Sequence, residues 1–309
     1  MPGREWVGGR PSYRFDDDGP MTNERAEVAL VDAGDGRRLE RLGSRLVDRP
    51  APVALGPKLD PVAWAGASLR YDAGGGWSGP AGSAEPWTVD VRGLTLELRA
   101  TASGGVGLYP EHAANLGWLE ARTRERLTAA PPAVAEPGAD DDRPAVLNLF
   151  AHTGLATLAA ARAGAAVAHV DAARASVAWA RRNATLSGLD DRPIRWLVDD
   201  ALSFAEREDR RGHRYAGFVI DPPSFGRAEG GRWRLRDDLT LLLDACGRVA
   251  TDDPFVLLTA HTTGIDPEPM LAAVARAFGR RPGEPSAHRQ ALVAASGAIL
   301  VLGWAIRLG

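Results

Sequence analysis

The sequence predicts an α/β fold, with a doubly wound, mostly parallel seven-stranded sheet in its C-terminal half and a smaller β-rich region ahead of it. Three observations predict this. After Pro144, short apolar runs alternate with helical stretches, the order that parallel strands and crossover helices impose. Before it, short alternating runs are punctuated by Asp35-Gly36 and Arg92-Gly93, turn pairs that suit hairpins. At the end, two apolar runs flank Ser296-Gly297 with no helix between them, which closes the chain as a pair of strands.

Taken in order, residues 1–22 are rich in Gly, Pro, Arg and Asp without periodicity and read as a disordered tail. Residues 23–127 form the β-rich region. It holds a hairpin around Asp35-Gly36, a Gly-rich loop at 73–80, strands around Arg92-Gly93, and a helix at 115–127 leading to the core. A Pro- and acid-rich linker spans 128–143. The second domain, 144–309, opens with a strand at 145–150. A helix at 153–163 follows, then a strand at 165–171 and a helix at 175–186. Strands at 194–198, 215–221 and 254–260 are each followed by a helix, at 201–210, 239–249 and 266–278.

Composition narrows the function. The 309 residues suffice for two compact domains, and 45% hydrophobic with 25% charged content is ordinary for a globular enzyme. No apolar run approaches the ~20 residues of a membrane helix, so no membrane partner is expected. The first residues lack the apolar segment of a secretory signal. Cys246 is the single cysteine, which excludes an intrachain disulfide and a cysteine-based zinc site and suits a reducing cytoplasm. A net charge of −3 argues against broad capture of nucleic acid, which depends on neutralising phosphates, but allows a local basic patch. His169 and His213 have no metal-ligand partners at useful spacing, so no metal is assigned.

In such a sheet ligands bind beyond the C-terminal ends of the strands. The first strand runs into Phe150-Ala151-His152-Thr153-Gly154, a small turn whose following helix offers free amides; the dinucleotide pattern G-x-G-x-x-G is absent. The second ends at Asp171, a carboxylate placed to accept ribose hydroxyls or to cap the next helix. The third ends at Asp199-Asp200, where a carboxylate can take an adenine amino group, cap a helix, or do both. The fourth ends at Asp221-Pro222-Pro223-Ser224-Phe225-Gly226. The two prolines fix an extended turn, so that carbonyls and the Asp221 carboxylate can hold a planar base with Phe225 available for stacking.

With these four strand ends together, the chain resembles the class I S-adenosyl-L-methionine-dependent methyltransferases. More narrowly it is similar to the bacterial 23S ribosomal RNA large-subunit family of cytosine-C5 and guanine-N7 enzymes. NLFAHTG (148–154), the segments through 169–189 and 194–204, DPPSFGR (221–227) and GLYPEHAANLGWL (107–119) carry the likeness. It implies S-adenosyl-L-methionine as cofactor, with Asn148, Phe150, Thr153 and Gly154 lining it, Asp171 on the ribose and Asp200 reading the adenine. It places Asp221, Pro222 and Pro223 beside the transferred methyl, and Tyr109, Glu111 and Asn115 closing the pocket from the N-terminal side. His112 stands where the family usually has Gln.

The acceptor is read from what is missing. Cytosine C5 needs covalent activation by a thiolate, and relatives that do this carry a Cys just after the fifth strand. Here that stretch is Thr259-Ala260-His261-Thr262-Thr263, while Cys246 lies on an apolar helix as a buried structural thiol. A nitrogen or oxygen acceptor needs mainly positioning, with Asp221 and His261 the candidates to orient or deprotonate it. Arg207, Arg210, Arg211, Arg214, Arg227, Arg232, Arg234 and Arg236, with Trp233 among them, could form an RNA-binding patch or simply a solvated face. The leading expectation is methyl transfer to RNA, probed against three alternatives: a small-molecule or protein methyltransferase, an NAD-dependent oxidoreductase, and a noncatalytic RNA-binding protein of the same fold.

Overall fold

A computed structural model of the chain describes residues 27–129, 145–228, 231–261, 266–279 and 283–309. The expected tail over 1–22 and most of the expected linker over 128–143 lie outside the described residues.

The N-terminal part opens with β1 (Val28–Gly34), β2 (Arg37–Leu42) and β3 (Arg45–Pro50), an antiparallel meander. Asp35 and Gly36 both take positive φ, as a two-residue type I′ hairpin turn requires. A short helix, α1 (Pro61–Ala65), leads to β4 (Leu69–Asp72) and β5 (Gly76–Ser78), which complete a five-stranded sheet. The Gly-rich stretch 73–80 is therefore not wholly loop. Trp77 pairs with Tyr71 and donates its indole N–H to the Thr101 carbonyl at 2.6 Å, an anchor that outweighs the low strand propensity of the surrounding glycines. A separate hairpin follows, β6 (Trp87–Val91) and β7 (Leu94–Leu98), then a 3-10 turn at Pro110–His112 and helix α2 (Ala113–Ala129).

The second part alternates as the periodicity predicts: β8 (Ala145–Leu149), α3 (Leu155–Arg162), β9 (Ala166–Asp171), α4 (Arg174–Leu186), β10 (Ile194–Val198), α5 (Ala201–Arg211) and β11 (Tyr215–Ile220). An unexpected hairpin, β12 (Phe225–Ala228) and β13 (Gly231–Arg234), precedes α6 (Leu235–Arg248). That helix starts four residues before the apolar pattern does, because Asp237 and Asp238 occupy its first turn and the Asp238 carboxylate accepts the Arg234 amide. β14 (Ala250–Ala260), α7 (Pro267–Phe278), β15 (Ser286–Val293) and β16 (Ile299–Leu308) finish the chain. β14 begins before Pro254 because its ladder with β11 is irregular, Tyr215 opposing Ala250 and Gly217 opposing Phe255.

The seven strands lie in the order β10-β9-β8-β11-β14-β16-β15. The first five are mutually parallel; β16 runs antiparallel to β14, and β15 to β16. The chain proceeds outward from β8 to β10 and then returns to β11 on the other side of β8. A crevice consequently opens where β8 and β11 end. Side chains alternate between two cores. Val146, Val167, Val219 and Leu257 pack against α2, α3 and the β6–β7 hairpin, while Leu147, Ala168, Phe218 and Leu258 pack against α5, α6 and α7. A third, smaller core joins Leu30, Ala33, Ala51 and Ala54 of the N-terminal part to Ala294, Ala298 and Leu300 at the β15–β16 turn. Among the described residues, no helix is long and apolar enough to cross a membrane.

Candidate methyl-transfer site

A cavity of about 660 Å³ occupies the crevice beyond β8, β9, β10 and β11. Its floor is the turn after β8. Phe150 and His152 both hold left-handed φ values, 56° and 47°, uncommon for non-glycine residues and costing about 1–3 kcal/mol each. The turn persists because its surroundings over-determine it. Ala151 N–H donates to the Val170 carbonyl, His152 N–H to Asp171 Oδ2 at 2.8 Å, and Thr153 Oγ1 to the Gly107 carbonyl at 2.6 Å. Gly154, at φ 92°, caps α3, and a Cβ there would sit 3.0 Å from that of Ala180.

Two of the expected residues lie beneath this turn. Asn148 is buried and donates to Thr157 Oγ1 at 2.8 Å, and Thr157 in turn meets His169 Nδ1 at 2.9 Å. Burial holds His169 near pKa 3, hence neutral. Asn148 and Thr153 line a narrower inner space of about 50 Å³ together with Asn115. Asn115 accepts from Arg307 at 2.8 Å, and its buried Nδ2 has no hydrogen-bond partner.

At the outer end, Asp171 accepts the amides of His152 and Ala173, each at 2.8 Å, and faces the cavity. Asp200 also lines the cavity and caps α5 by accepting the Ser203 amide at 2.9 Å. Asp199 is engaged by Arg207. The Phe150 and Trp233 rings are 5.0 Å apart. Trp233 donates to the Pro223 carbonyl at 2.7 Å, so that carbonyl is already occupied. Phe225 is not where stacking would need it. It is 77% exposed and absent from the lining, because on the β12–β13 hairpin Trp233, not Phe225, turns toward Phe150.

The inner wall gathers Asp221, His112 and His261. The two Nε2 atoms are 3.0 Å apart; His112 Nε2 is 3.3 Å from Asp221 Oδ2, and His261 Nε2 is 3.2 Å from Asp221 Oδ1. Thr259 Oγ1 donates to Asp221 Oδ1 at 2.5 Å. Burial alone would raise the Asp221 pKa, but the charges and hydrogen bonds of His112 and His261 hold it well below the usual carboxylate range. Burial would lower that of His261, but Asp221 and then Glu111 push it up to about 9. Tyr109 stacks on His261 with ring centroids 5.8 Å apart. Glu111 does not line the cavity. It is buried behind His261, with Oε1 3.4 Å from Nδ1.

Sequence reading therefore located the strand-end residues but not the convergence of His112 with His261, nor the contributions of His152 and Trp233 to the lining. For His112 a signal existed in the Pro-Glu-His step; for His261 there was its place at the end of a strand. Among the described residues, His112, Asp221 and His261 are the group of His, Cys, Asp or Glu close enough to share one ion. Cys246 is buried on α6, its thiol pushed up to about 12 by burial, and lines neither cavity. The expected arginine patch is divided. Arg210, Arg211 and Arg214 sit at the end of α5, where β11 begins, whereas Arg234 ends β13 next to Trp233, which lines the cavity. Arg207, Arg211 and Arg234 are paired with Asp199, Glu208 and Asp237. The side chains of Arg227 and Arg232, and residues 262–265, lie outside the described residues.

A crystal structure of a SAM-dependent methyltransferase from Agrobacterium tumefaciens matches with a TM-score of 0.81 and 31% identity, covering 99% of this chain and 97% of that one. This chain belongs to the SAM-dependent methyltransferases. The methyltransferase also matches the structure of SMU.776 complexed with SAH, at a TM-score of 0.67 and 16% identity, a likeness of fold alone. Ribosomal RNA large subunit methyltransferase K/L of Stutzerimonas stutzeri is 41% identical over 109 residues, which is 34% of this methyltransferase and 14% of that relative. No family model matches the chain. S-adenosylmethionine is the cofactor of the family, and the enzyme is a methyltransferase.

Proposed function

We propose that this methyltransferase modifies ribosomal RNA of the large subunit, at a nitrogen or oxygen rather than at cytosine C5. The likeness to methyltransferase K/L supports the RNA class. The observation that carries the acceptor is the absence of a usable thiolate. Cys246, the single cysteine, is buried and held protonated, so the covalent route to C5 has no nucleophile. A cytoplasmic setting goes with this reading, and the sheet order supports a doubly wound class I core over 144–309 with 27–127 packed against it.

In the same reading, Asp171 accepts the ribose hydroxyls, Asp200 takes the adenine amino group with its remaining acceptor capacity, and Phe150 with Trp233 flanks the base. Asn148, Thr153 and Gly154 shape the turn on which the cofactor rests. The unpartnered Asn115 Nδ2 offers a donor to the amino-acid end of the cofactor. Asp221, Pro222 and Pro223 border the methyl group, with Tyr109 closing the cavity and Glu111 supporting His261. Bound there, S-adenosylmethionine would supply an electrophilic methyl group to the acceptor lone pair and leave as S-adenosylhomocysteine, and the Asp221 carboxylate would take the acceptor proton. Asp221 and His261 orient the acceptor for this in-line displacement, in which positioning supplies much of the rate.

The test is transfer of tritiated methyl to RNA from a strain lacking the gene, against RNA from wild type. The deletion RNA should take label and the wild-type RNA should not, and nucleoside mass spectrometry should place it on nitrogen or oxygen. Equal labelling near background would overturn the RNA assignment.

A further inference from the structure

We propose that His112, Asp221 and His261 form a binding site for one divalent transition-metal ion at the acceptor end of the cavity. The geometry carries this. Three ligand atoms about 2.1 Å from an ion, with about 90–105° between them, lie about 3.0–3.3 Å from one another. Here the two imidazole nitrogens are 3.0 Å apart and each faces a different oxygen of the Asp221 carboxylate, His261 at 3.2 Å from Oδ1 and His112 at 3.3 Å from Oδ2, so that one ligand atom from each residue lies within 4.8 Å of the others. Two imidazoles aimed nitrogen to nitrogen beside a carboxylate can share few protons, whereas one cation satisfies all three lone pairs. Two imidazole nitrogens and a carboxylate suit zinc, cobalt, iron or manganese.

Each ligand also has a fixed mount. His112 is held in the 3-10 turn before α2, while Asp221 follows β11 and His261 follows β14, neighbouring strands of the sheet. Thr259 Oγ1 fixes the Asp221 carboxylate by donating to Oδ1. Behind His261 stands Glu111, 3% exposed, with Oε1 3.4 Å from Nδ1 and Oε2 without a hydrogen-bond partner. The contact is an ion pair rather than a hydrogen bond, Nδ1 itself having no hydrogen-bond partner, and a carboxylate at that place raises the basicity of a ligating histidine.

Asp221 and His261 line the cavity, so open coordination positions would face the acceptor. The ion would hold an acceptor oxygen or nitrogen in line with the methyl group. That task rests on the methyl-transfer reading above; the binding of the ion does not.

The test uses the full chain, stripped with a chelator and titrated with Co²⁺ by visible absorption, with Zn²⁺ as competitor. We expect one equivalent bound, and at least a tenfold loss of affinity in His112→Gln and in His261→Gln. Circular dichroism and SAH calorimetry report whether each variant is folded. His112→Gln keeps a hydrogen-bonding side chain, so a fall in Co²⁺ affinity without unfolding isolates the lost ligand. A folded, SAH-binding wild-type chain that takes up no Co²⁺ overturns the site, as does uptake equal in wild type and both variants. The absorption signal is read independently of RNA labelling, so failure of the RNA assignment and failure of the ion are distinct results.

Discussion

Asp171 binds two backbone amides of its own chain and still faces the cavity, so one carboxylate fixes the floor and, in the proposed reading, takes the ribose hydroxyls as well. Removing it deletes charge-assisted hydrogen bonds worth about 1.5–3 kcal/mol. Asp171→Ala should therefore bind SAH at least about tenfold more weakly in calorimetry; an unchanged affinity would contradict the ribose role. Trp233 and Phe225 give a sharper contrast. Trp233→Ala should weaken SAH binding, while Phe225→Ala, on an exposed ring, should leave it alone; the reverse pattern would restore the stacking role to Phe225. These residues also mark how far the sequence could be read. Asp171, Asp200 and Asp221 announce themselves because each ends an apolar strand. The pairing of His112 with His261 does not, because they lie 149 positions apart and meet only through the folded sheet. The place of Trp233 in the cavity lining was not legible because its side depends on hairpin register, which DPPSFGR alone does not reveal.

Secondary structure was legible wherever apolar periodicity was sustained, as in β8–α3–β9–α4. It failed where glycine or arginine broke the pattern, in β5, anchored by Trp77 to the distant Thr101 carbonyl, and in β12 and β13, which form a two-stranded sheet of their own. The junction of α5, β10 and β11 shows how one residue can fasten several elements. Glu208, fully buried, accepts from Tyr215 at 2.6 Å and pairs with His213, Arg195 and Arg211. Burial would raise its pKa, but the Tyr215 and His213 hydrogen bonds and the Arg195 charge bring it to about 2. The folded state thus favours the carboxylate. The resulting stability is complete above the unfolded value of about 4.3 and is lost as pH falls toward 2, amounting to about 3 kcal/mol. Glu208→Gln should melt lower at pH 7 and lose less stability than wild type between pH 5 and 2. Parallel acid profiles for the two proteins would refute this accounting.

Across the whole molecule, the two parts are tied rather than strung together. Asp32 accepts the amides of Leu59 and Asp60, the indole of Trp64 and the hydroxyl of Ser296, the last reaching from the first strand to the final hairpin. The β6–β7 hairpin and α2 contribute Leu96, Leu98, Leu116 and Leu119 to the same core as Val146 and Val167, so one core is shared by elements that stand before residue 130 and after residue 144 in the chain. Turn pairs made the N-terminal hairpins readable. The docking of those hairpins was not, because it depends on the shape of a sheet built far downstream.

The divided arginines bear on how RNA would arrive. Arg195 and Arg211 on Glu208, Arg207 on Asp199 and Arg248 on Asp209 have already exchanged solvent ions for carboxylates of their own chain. Those four guanidinium groups have less charge to lend to phosphates, and each phosphate neutralised steepens the log–log dependence of affinity on salt by about 0.7. RNA affinity measured across a salt series should therefore fall with a slope of magnitude about 3 or less. A much steeper fall would reveal a broad phosphate-tracking surface. A shallow one describes an enzyme that chooses its target by the shape of a pocket and finds it by ordinary diffusion rather than by sliding along a charged backbone.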